Sequence, residues 1–518
     1  MKLNKSLLLL IVLAGLLFFF KLGSFSLYDA VETTYGEFIK QIRLTGDWIT
    51  MHYNGEIIFD KPPLYFWLAS IATFIFGFNE FAVRFWAAIC GVLTVATTFY
   101  LGKSFYNQKV GFFSGLITMT AFQFLIQSRI AEIDILLTLL ITASLLFFWQ
   151  KKYLLMYLAM ALGVLTKGII GATLPGFAIL LFLLFSKDLK RLKEMKIIQG
   201  TVLCSLFAVP WYAVEWLLHG QRFTEFVLGF LFLARFQGVV AGHPGPWDYY
   251  IYALILGFAP WSHFLPYSLI RTWKNTRRSL HLSISPSPEL LSLCYIVPVF
   301  VVFSIAKTKL PSYMLPIYPF LAIMVGKLWA DFLGSEQQTM RRGMLIANIL
   351  LAIVVVMIII GFSILGTANY SGQYQELMPN LLLLAGVLVA GSIISVGAFA
   401  LRKYKISFTA IPVMVFIISL ILTTQTLPAV EKYKGTKELA QKVAAVIKPG
   451  EDIAAYKIGN RPGVVFYNSK PVIFLEDEKG LEGFLLYKNG YLFTTKEEVK
   501  NIKFGRVFEK KGELVVLF

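Results

Sequence analysis

Apolar segments close to the length of a bilayer crossing recur through the first 426 residues, separated by short polar stretches in which Lys and Arg cluster. A spanning helix needs roughly 20 predominantly apolar residues, and its backbone groups must be satisfied within the segment because lipid offers no partners. The chain is therefore read as a polytopic α-helical membrane protein. The runs fall at approximately 5–22, 63–78, 81–102, 110–127, 133–150, 153–166, 168–186, 197–218, 249–270, 289–306, 312–333, 343–365, 379–401 and 407–426. With 57% hydrophobic and only 15% charged residues, a soluble enzyme is excluded. The first run continues into Phe18-Phe19-Phe20-Lys21 without a small-residue cleavage site, so it is a spanning helix and not a leader.

The formal charge of +18 does not indicate a nucleic-acid partner, because the cations lie in short clusters between apolar runs and form no stripe. They act as topology signals. Positive loops stay cytoplasmic, which places Lys103, Lys109, Lys151, Lys152, Lys187 to Lys196, Arg271 to Arg278, Arg341, Arg342 and Arg402 to Lys405 inside. With a cytoplasmic N-terminus and fourteen crossings the sign inverts from Lys103 onward. Withdrawing the short, aromatic run 63–78, which begins at Pro63, restores every loop, so this segment is expected to lie along the interface. About thirteen spanning helices remain.

The outer side then receives the first loop 23–80, residues 129–134, Lys167, the loop 219–248, residues 307–313 and the C-terminal tail. Residues 1–426 are read as the membrane domain. Residues 427–518 are read as a small soluble α/β domain outside the membrane, with strands at Asp452 to Tyr456, Gly463 to Tyr467, Pro471 to Leu475 and Leu514 to Phe518, and a helix at Lys437 to Ile447. Cys90, Cys204 and Cys294 lie in or beside apolar runs without metal-ligand spacing, and are read as core residues.

Ionisable groups gathered at a membrane edge are costly and point to function. Asp29, Glu32 and Tyr35 recur at intervals of three and would share one helical face, as paired carboxylates for proton transfer or as an N-cap with a solvated face. Asp60-Lys61-Pro62-Pro63 is more specific, because consecutive prolines hold the backbone extended and present Asp60 and Lys61 rigidly. Arg129 and Asp134 bracket the start of the next apolar run, where Arg129 suits a phosphate and Asp134 a second carboxylate. Lys167, Lys307 and Lys309 stand on the outer side, where the charge bias does not explain them; a lipid phosphate does. His243 is a lone loop histidine.

In order, Glu32-Thr-Thr-Tyr-Gly-Glu37, Gly46-Asp-Trp48, Asn54-Gly55, Asp60-Lys-Pro-Pro63, Arg129 to Asp134, Leu165-Thr-Lys-Gly168, His243-Pro-Gly-Pro-Trp247 and Lys307 to Tyr313 resemble the bacterial aminoarabinose transferase (ArnT-like) family. These are GT-C integral-membrane glycosyltransferases related to protein O-mannosyltransferases. The resemblance implies a polyprenyl (undecaprenyl) phosphate sugar donor, an acceptor at the outer leaflet of the cytoplasmic membrane and inversion at the anomeric carbon. It also implies Asp29 or Glu32, with Asp134, as catalytic carboxylates. Tyr35, Asp60, Lys61, Arg129, Lys167, His243, Lys307, Lys309 and Tyr313 are then substrate-binding. A divalent metal is a candidate cofactor with Asp60 and His243 as candidate ligands. The family's paired acids before the loop Tyr read Val31-Glu32 here, and its Arg reads Thr34. The expected acceptor is a lipid A-like glycolipid, the alternatives being protein Ser or Thr hydroxyls, or a transporter without covalent chemistry.

Overall fold

Apolar runs become helices, and the polar breaks between them become two chemically different ends of a bundle. The computed structural model describes residues 4–227, 244–281, 287–334, 337–367, 377–502 and 505–518. In chain order come α1 (Lys5–Phe19), α2 (Val31–Thr45), the hairpin β1 (Met51–Tyr53) and β2 (Glu56–Ile58), α3 (Leu64–Phe76), α4 (Glu80–Phe105), α5 (Gln108–Thr120) and α6 (Phe122–Gln127). Then follow α7 (Ile133–Trp149), α8 (Tyr153–Lys167), α9 (Ile170–Phe185) and α10 (Ile197–Glu225), which is kinked at Gly220. The later helices include Tyr249–Gly257, Leu265–His281, Pro288–Ile305, Tyr318–Phe332, Gln337–Thr367, Met378–Ala400 and Tyr404–Ile421.

Among the described residues, seven helices are long and apolar enough to cross a bilayer, or eight if the bent pair Tyr249–Gly257 and Ser262–His281 counts as one. Length and composition alone thus do not reproduce the thirteen crossings expected. The reason is that several runs are short or broken. The run 110–127 divides at Ala121, and 249–270 is not a straight helix but turns by 118° before Leu265.

One end of the bundle collects basic loops. Trp149 donates to the Ser104 carbonyl at 3.3 Å, Lys109 to that of Ala330 at 3.2 Å and Arg191 to that of Phe148 at 2.7 Å, so residues 103–109, 148–153, 188–194 and 327–331 are neighbours. The opposite end collects the acidic motifs. α7 starts there with Asp134, α8 ends there with Lys167, and the two helices run the length of the bundle between the ends. α3 has only 13 residues and both its flanks stay at the acidic end: Pro62 lines the cavity described below, while Glu80 meets Lys437 of the C-terminal unit.

The C-terminal unit is a five-stranded sheet in the order β4 (Val472–Leu475), β3 (Asp452–Tyr456), β5 (Gly490–Thr495), β7 (Leu514–Leu517), β6 (Val507–Lys511). β3 pairs parallel with β4 and β5, while β7 pairs antiparallel with β5 and β6. Ile453 and Ala455 pack toward helix Thr436–Val446, whereas Ala454 and Tyr456 pack toward helix Glu478–Tyr487. Coverage on both faces explains why the strands read as unbroken apolar runs. Gly463–Tyr467, expected as a strand, is instead a helix. A short apolar run carries no decisive period, and tertiary partners decide it. Asp29 accepts from the Gly463 N–H at its start, and Lys40 donates to the carbonyls of Val465, Phe466 and Asn468 at its end.

The first loop holds this unit by polar contacts. The β1–β2 hairpin turns at Asn54-Gly55, both with positive φ, as a two-residue hairpin requires. Asn54 then bonds both backbone groups of Val472 on the edge strand β4, at 2.8 and 2.7 Å. Tyr467 accepts from the Leu27 N–H at 2.8 Å and donates to Glu80 at 3.2 Å. Replacing Asn54 by Ala removes two of these hydrogen bonds, each worth about 1 kcal/mol. Limited proteolysis in the connection 427–436 is expected to speed up several-fold, with the bundle's thermal midpoint little changed.

Candidate active site

Five of the residues singled out from the sequence converge on one cavity of about 410 Å³ at the acidic end of the bundle. Asp60 and Lys61 come from the loop before α3, Asp134 from the first turn of α7, Lys167 from the last turn of α8, and Tyr313 from the turn Pro311–Ile317. The rest of the wall is apolar or aromatic: Leu137, Ile169, Ile170, Leu174, Trp211, Tyr212, Val302 and Phe303 among others. The cavity is thus a greasy pocket closed by a small ionic group.

The local fold explains the placement. α8 and α9 form a hairpin in which a Cβ added at Gly171 would lie 2.0 Å from the carbonyl carbon of Gly163, so only glycine permits the approach. Gly168, at φ +72°, ends α8 in a conformation that side chains resist. That turn leaves Lys167 at the helix end, ion-paired to Asp134 and 4.7 Å from the centre of the Tyr313 ring. Asp60 and Lys61 bond each other at 2.8 Å. Paired in this way, charges are tolerable beside lipid-like surroundings.

The other described site candidates do not line the cavity. Glu32 is fully buried and accepts from Arg84 Nε and Nη2, both at 2.8 Å, from the Ala131 N–H at 2.6 Å and from the Tyr28 N–H at 2.8 Å. All lone-pair directions are occupied, which is the pattern of an architectural carboxylate. Asp29 lies before α2, not on it, so the shared helical face expected with Glu32 and Tyr35 is absent. It accepts from Thr436 Oγ1 at 3.0 Å and from the Gly463 N–H at 3.1 Å, and burial raises its carboxyl despite those donors. Tyr35 is buried against Phe38 and Phe66.

Arg129 is not placed for phosphate: it donates to the carbonyls of Leu17, Phe18 and Phe20 at the end of α1. Lys309 likewise donates to Phe303 and Ser304 at the end of helix Pro288–Ile305 and sits 5.4 Å from the Tyr250 ring centre. Lys307 is exposed and outside the cavity wall. His243 lies outside the described residues. Among the described residues no three His, Cys, Asp or Glu side chains are grouped to hold a metal, and Asp60 is bonded to Lys61. No step is assigned to a divalent cation.

Sequence reading missed Thr308, Trp211 and Tyr212 in the wall, and Glu132 behind Asp134. The Trp211-Tyr212 pair follows Pro210 within an apolar run, a signal that was available. Glu132 is buried, and burial together with the charge of Asp134 holds its carboxyl well above the ordinary carboxylate range.

A profile described as dolichyl-phosphate-mannose-protein mannosyltransferase matches residues 60–213, a stretch that contains Asp60, Lys61, Asp134 and Lys167. The crystal structure of ArnT from Cupriavidus metallidurans bound to undecaprenyl phosphate superposes with a TM-score of 0.82 at 20% identity, covering 98% of this chain and 97% of that one. The chain has the ArnT fold. An uncharacterized protein of Aquifex aeolicus is 28% identical over 94% of this chain and 91% of its own length. The undecaprenyl phosphate-alpha-4-amino-4-deoxy-L-arabinose arabinosyl transferase 2 of Proteus mirabilis is 30% identical over 61% of this chain. That match spans 58% of the transferase's length. The ArnT fold thus extends over the whole chain, whereas the sequence likeness to the named transferases covers about three fifths of each.

The site geometry sets two expectations. Arg84→Ala leaves Glu32 buried without its counter-charge, a change that costs about 3–5 kcal/mol, and the thermal midpoint in detergent should fall steeply. For Glu132 the folded carboxyl titrates above its unfolded value, so its stabilising contribution is complete at acid pH and is lost as pH rises through the folded value of about 8. Glu132→Gln should therefore flatten the decline in stability between about pH 4.5 and 8 and leave the slopes below and above that window unchanged.

Proposed function

We propose that the chain is an inverting glycosyltransferase of the cytoplasmic membrane that moves a sugar from a polyprenyl-phosphate donor to a glycolipid acceptor. The observation that carries the reading is the union of an apolar cavity with two cations at one end, Lys61 and Lys167. That is the shape of a lipid phosphate: an isoprenoid chain along Leu137, Ile170, Leu174 and Trp211, and a phosphate at the ionic end. The related ArnT from Cupriavidus metallidurans, which shares the fold, is described as bound to undecaprenyl phosphate.

The chemistry follows from where charge develops. The bond from the anomeric carbon to the donor phosphate oxygen breaks, and the phosphate leaves with the electron pair. Lys61 and Lys167 offset the charge it gains, a stabilisation that strengthens toward the transition state in a water-poor site. The anomeric carbon becomes electron-poor, and Asp134 faces it with negative charge. An acceptor oxygen on the opposite face forms the new bond, which inverts the centre. Asp134 is already paired with Lys167. An acceptor phosphate oxygen, ionised at neutral pH, needs no proton removed, whereas a Ser or Thr hydroxyl requires a base. This favours a phosphorylated glycolipid over a protein. The acidic end faces away from the cytoplasm, with the N-terminus inside and residues 427–518 capping the site outside, in keeping with the basic loops at the other end.

Purified protein incubated with labelled polyprenyl-phosphate sugars and either a lipid A-like glycolipid or a Ser/Thr peptide tests the reading. Transfer to the glycolipid alone is expected. Transfer to the peptide alone moves the chain to the mannosyltransferase reading, and transfer to neither, with donor bound, removes the enzymatic one. Asp134→Asn is expected to lower kcat at least about 100-fold. Lys167→Met should weaken both donor binding and turnover, because it removes phosphate contact and leaves Asp134 unpaired.

A further inference from the structure

We propose that helix Leu265–His281 is a binding site for anionic phospholipid headgroups, at the end of the bundle opposite the cavity and independent of the reaction there. Its position is set by Arg271, which approaches Asp331 at 3.8 Å near the end of helix Tyr318–Phe332. That helix starts directly after the turn carrying Tyr313 and extends about 20 Å away from it. The 118° bend after Tyr249–Gly257 lays Leu265–His281 across the basic end instead of through the bundle.

The helix has three faces. At about 100° per residue, Leu265, Ser268, Thr272 and Thr276 fall together, and these are its buried positions against the protein. Ile270, Trp273 and Leu280 occupy the adjoining sector and are exposed, Trp273 by 62% and Ile270 by 52%. Lys274 and Arg278 occupy the third sector, also exposed, while exposed Arg277 projects from the apolar sector between Trp273 and Ile270, whence its long stem carries the guanidinium toward the headgroups. Among the described residues none of these three cations has an ion-pair partner, in contrast to Arg271, Lys327 and Lys151.

A bare apolar sector beside an uncompensated cationic one fits the boundary between acyl chains and headgroups. Trp273 and Ile270 enter the acyl region, which fixes the depth of the helix. At that depth Lys274, Arg277 and Arg278 reach the phosphate plane, where each cation adds about 1 kcal/mol of attraction to an anionic surface. A soluble acidic partner would leave the apolar sector unmatched. A zwitterionic surface would leave the three charges uncompensated.

Full-length protein in mixed micelles containing equal amounts of phosphatidylglycerol and phosphatidylcholine tests this by native mass spectrometry of the retained lipids. Wild type is expected to retain phosphatidylglycerol preferentially, and the preference should weaken as salt rises. Each of Lys274→Gln, Arg277→Gln and Arg278→Gln should lower the preference by up to about fivefold, and the triple variant should abolish it. The control Lys190→Gln/Lys193→Gln removes two exposed cations from another loop at the same end, and should leave it intact. An unchanged preference in the triple variant overturns the proposal, as does an equal loss in the control. Thermal midpoints in phosphatidylcholine alone verify that every variant is folded.

Discussion

The last carbonyls of every helix lack an intrahelical donor, and inside a bilayer no water replaces it. Much of this structure depends on how that deficit is met. Arg129 serves the end of α1, Arg43 the Thr73 carbonyl near the end of α3, Arg191 that of Phe148 in α7, Lys309 the end of Pro288–Ile305, and Lys109 the Ala330 carbonyl. Lys40 does the same for the helix Gly463–Tyr467. A cation at a helix C-terminus both donates hydrogen bonds and answers the dipole. Where the medium is dry, both contributions grow. These residues join neighbouring segments as well, because each reaches its carbonyl from a different element.

Arg84 is the extreme case. All five of its N–H groups are matched: two to Glu32, and the others to Leu22, Phe25 and Ser26. Glu32 extends the node to the Ala131 N–H, three residues before Asp134. The exit of α1, the start of α2, the head of α4 and the approach to α7 are therefore tied through one buried ion pair. Glu32 acts on the cavity by fixing the backbone that presents Asp134. The same constraint governs the cavity itself, where Lys167 and Asp134, and Lys61 and Asp60, are paired so that neither charge stands alone beside apolar walls.

The helices were legible because burial in lipid imposes an apolar run on any sequence that crosses it. Asp60, Lys61, Asp134, Lys167 and Tyr313 were legible as a group because a charge at a helix end, beside a proline or glycine break, has few cheap explanations. Asp29, Glu32, Arg129 and Lys309 belong to the same chemical class, yet the structure engages them in capping and docking. Their partners are mostly backbone N–H and C=O groups, which every residue carries and which leave no mark in a sequence. Gly463–Tyr467 was misread as a strand for a related reason: five apolar residues fit either element, and Asp29 and Lys40, more than 400 positions away, select the helix.

The amino-acid sequence by itself determined that the chain is a multi-pass helical membrane protein, that its basic loops lie at one end, and that an α/β unit follows the bundle. Each of these follows from composition averaged over many residues, since transfer into lipid and the attraction of positive loops are additive and local. Only the tertiary structure decided which ionisable side chains face a common cavity and which serve a helix end. It also decided that α3 stays at one end and that Leu265–His281 turns aside from the bundle. Those outcomes depend on distances between segments far apart in the chain, and a charge's role is set by the partner nearest to it in space.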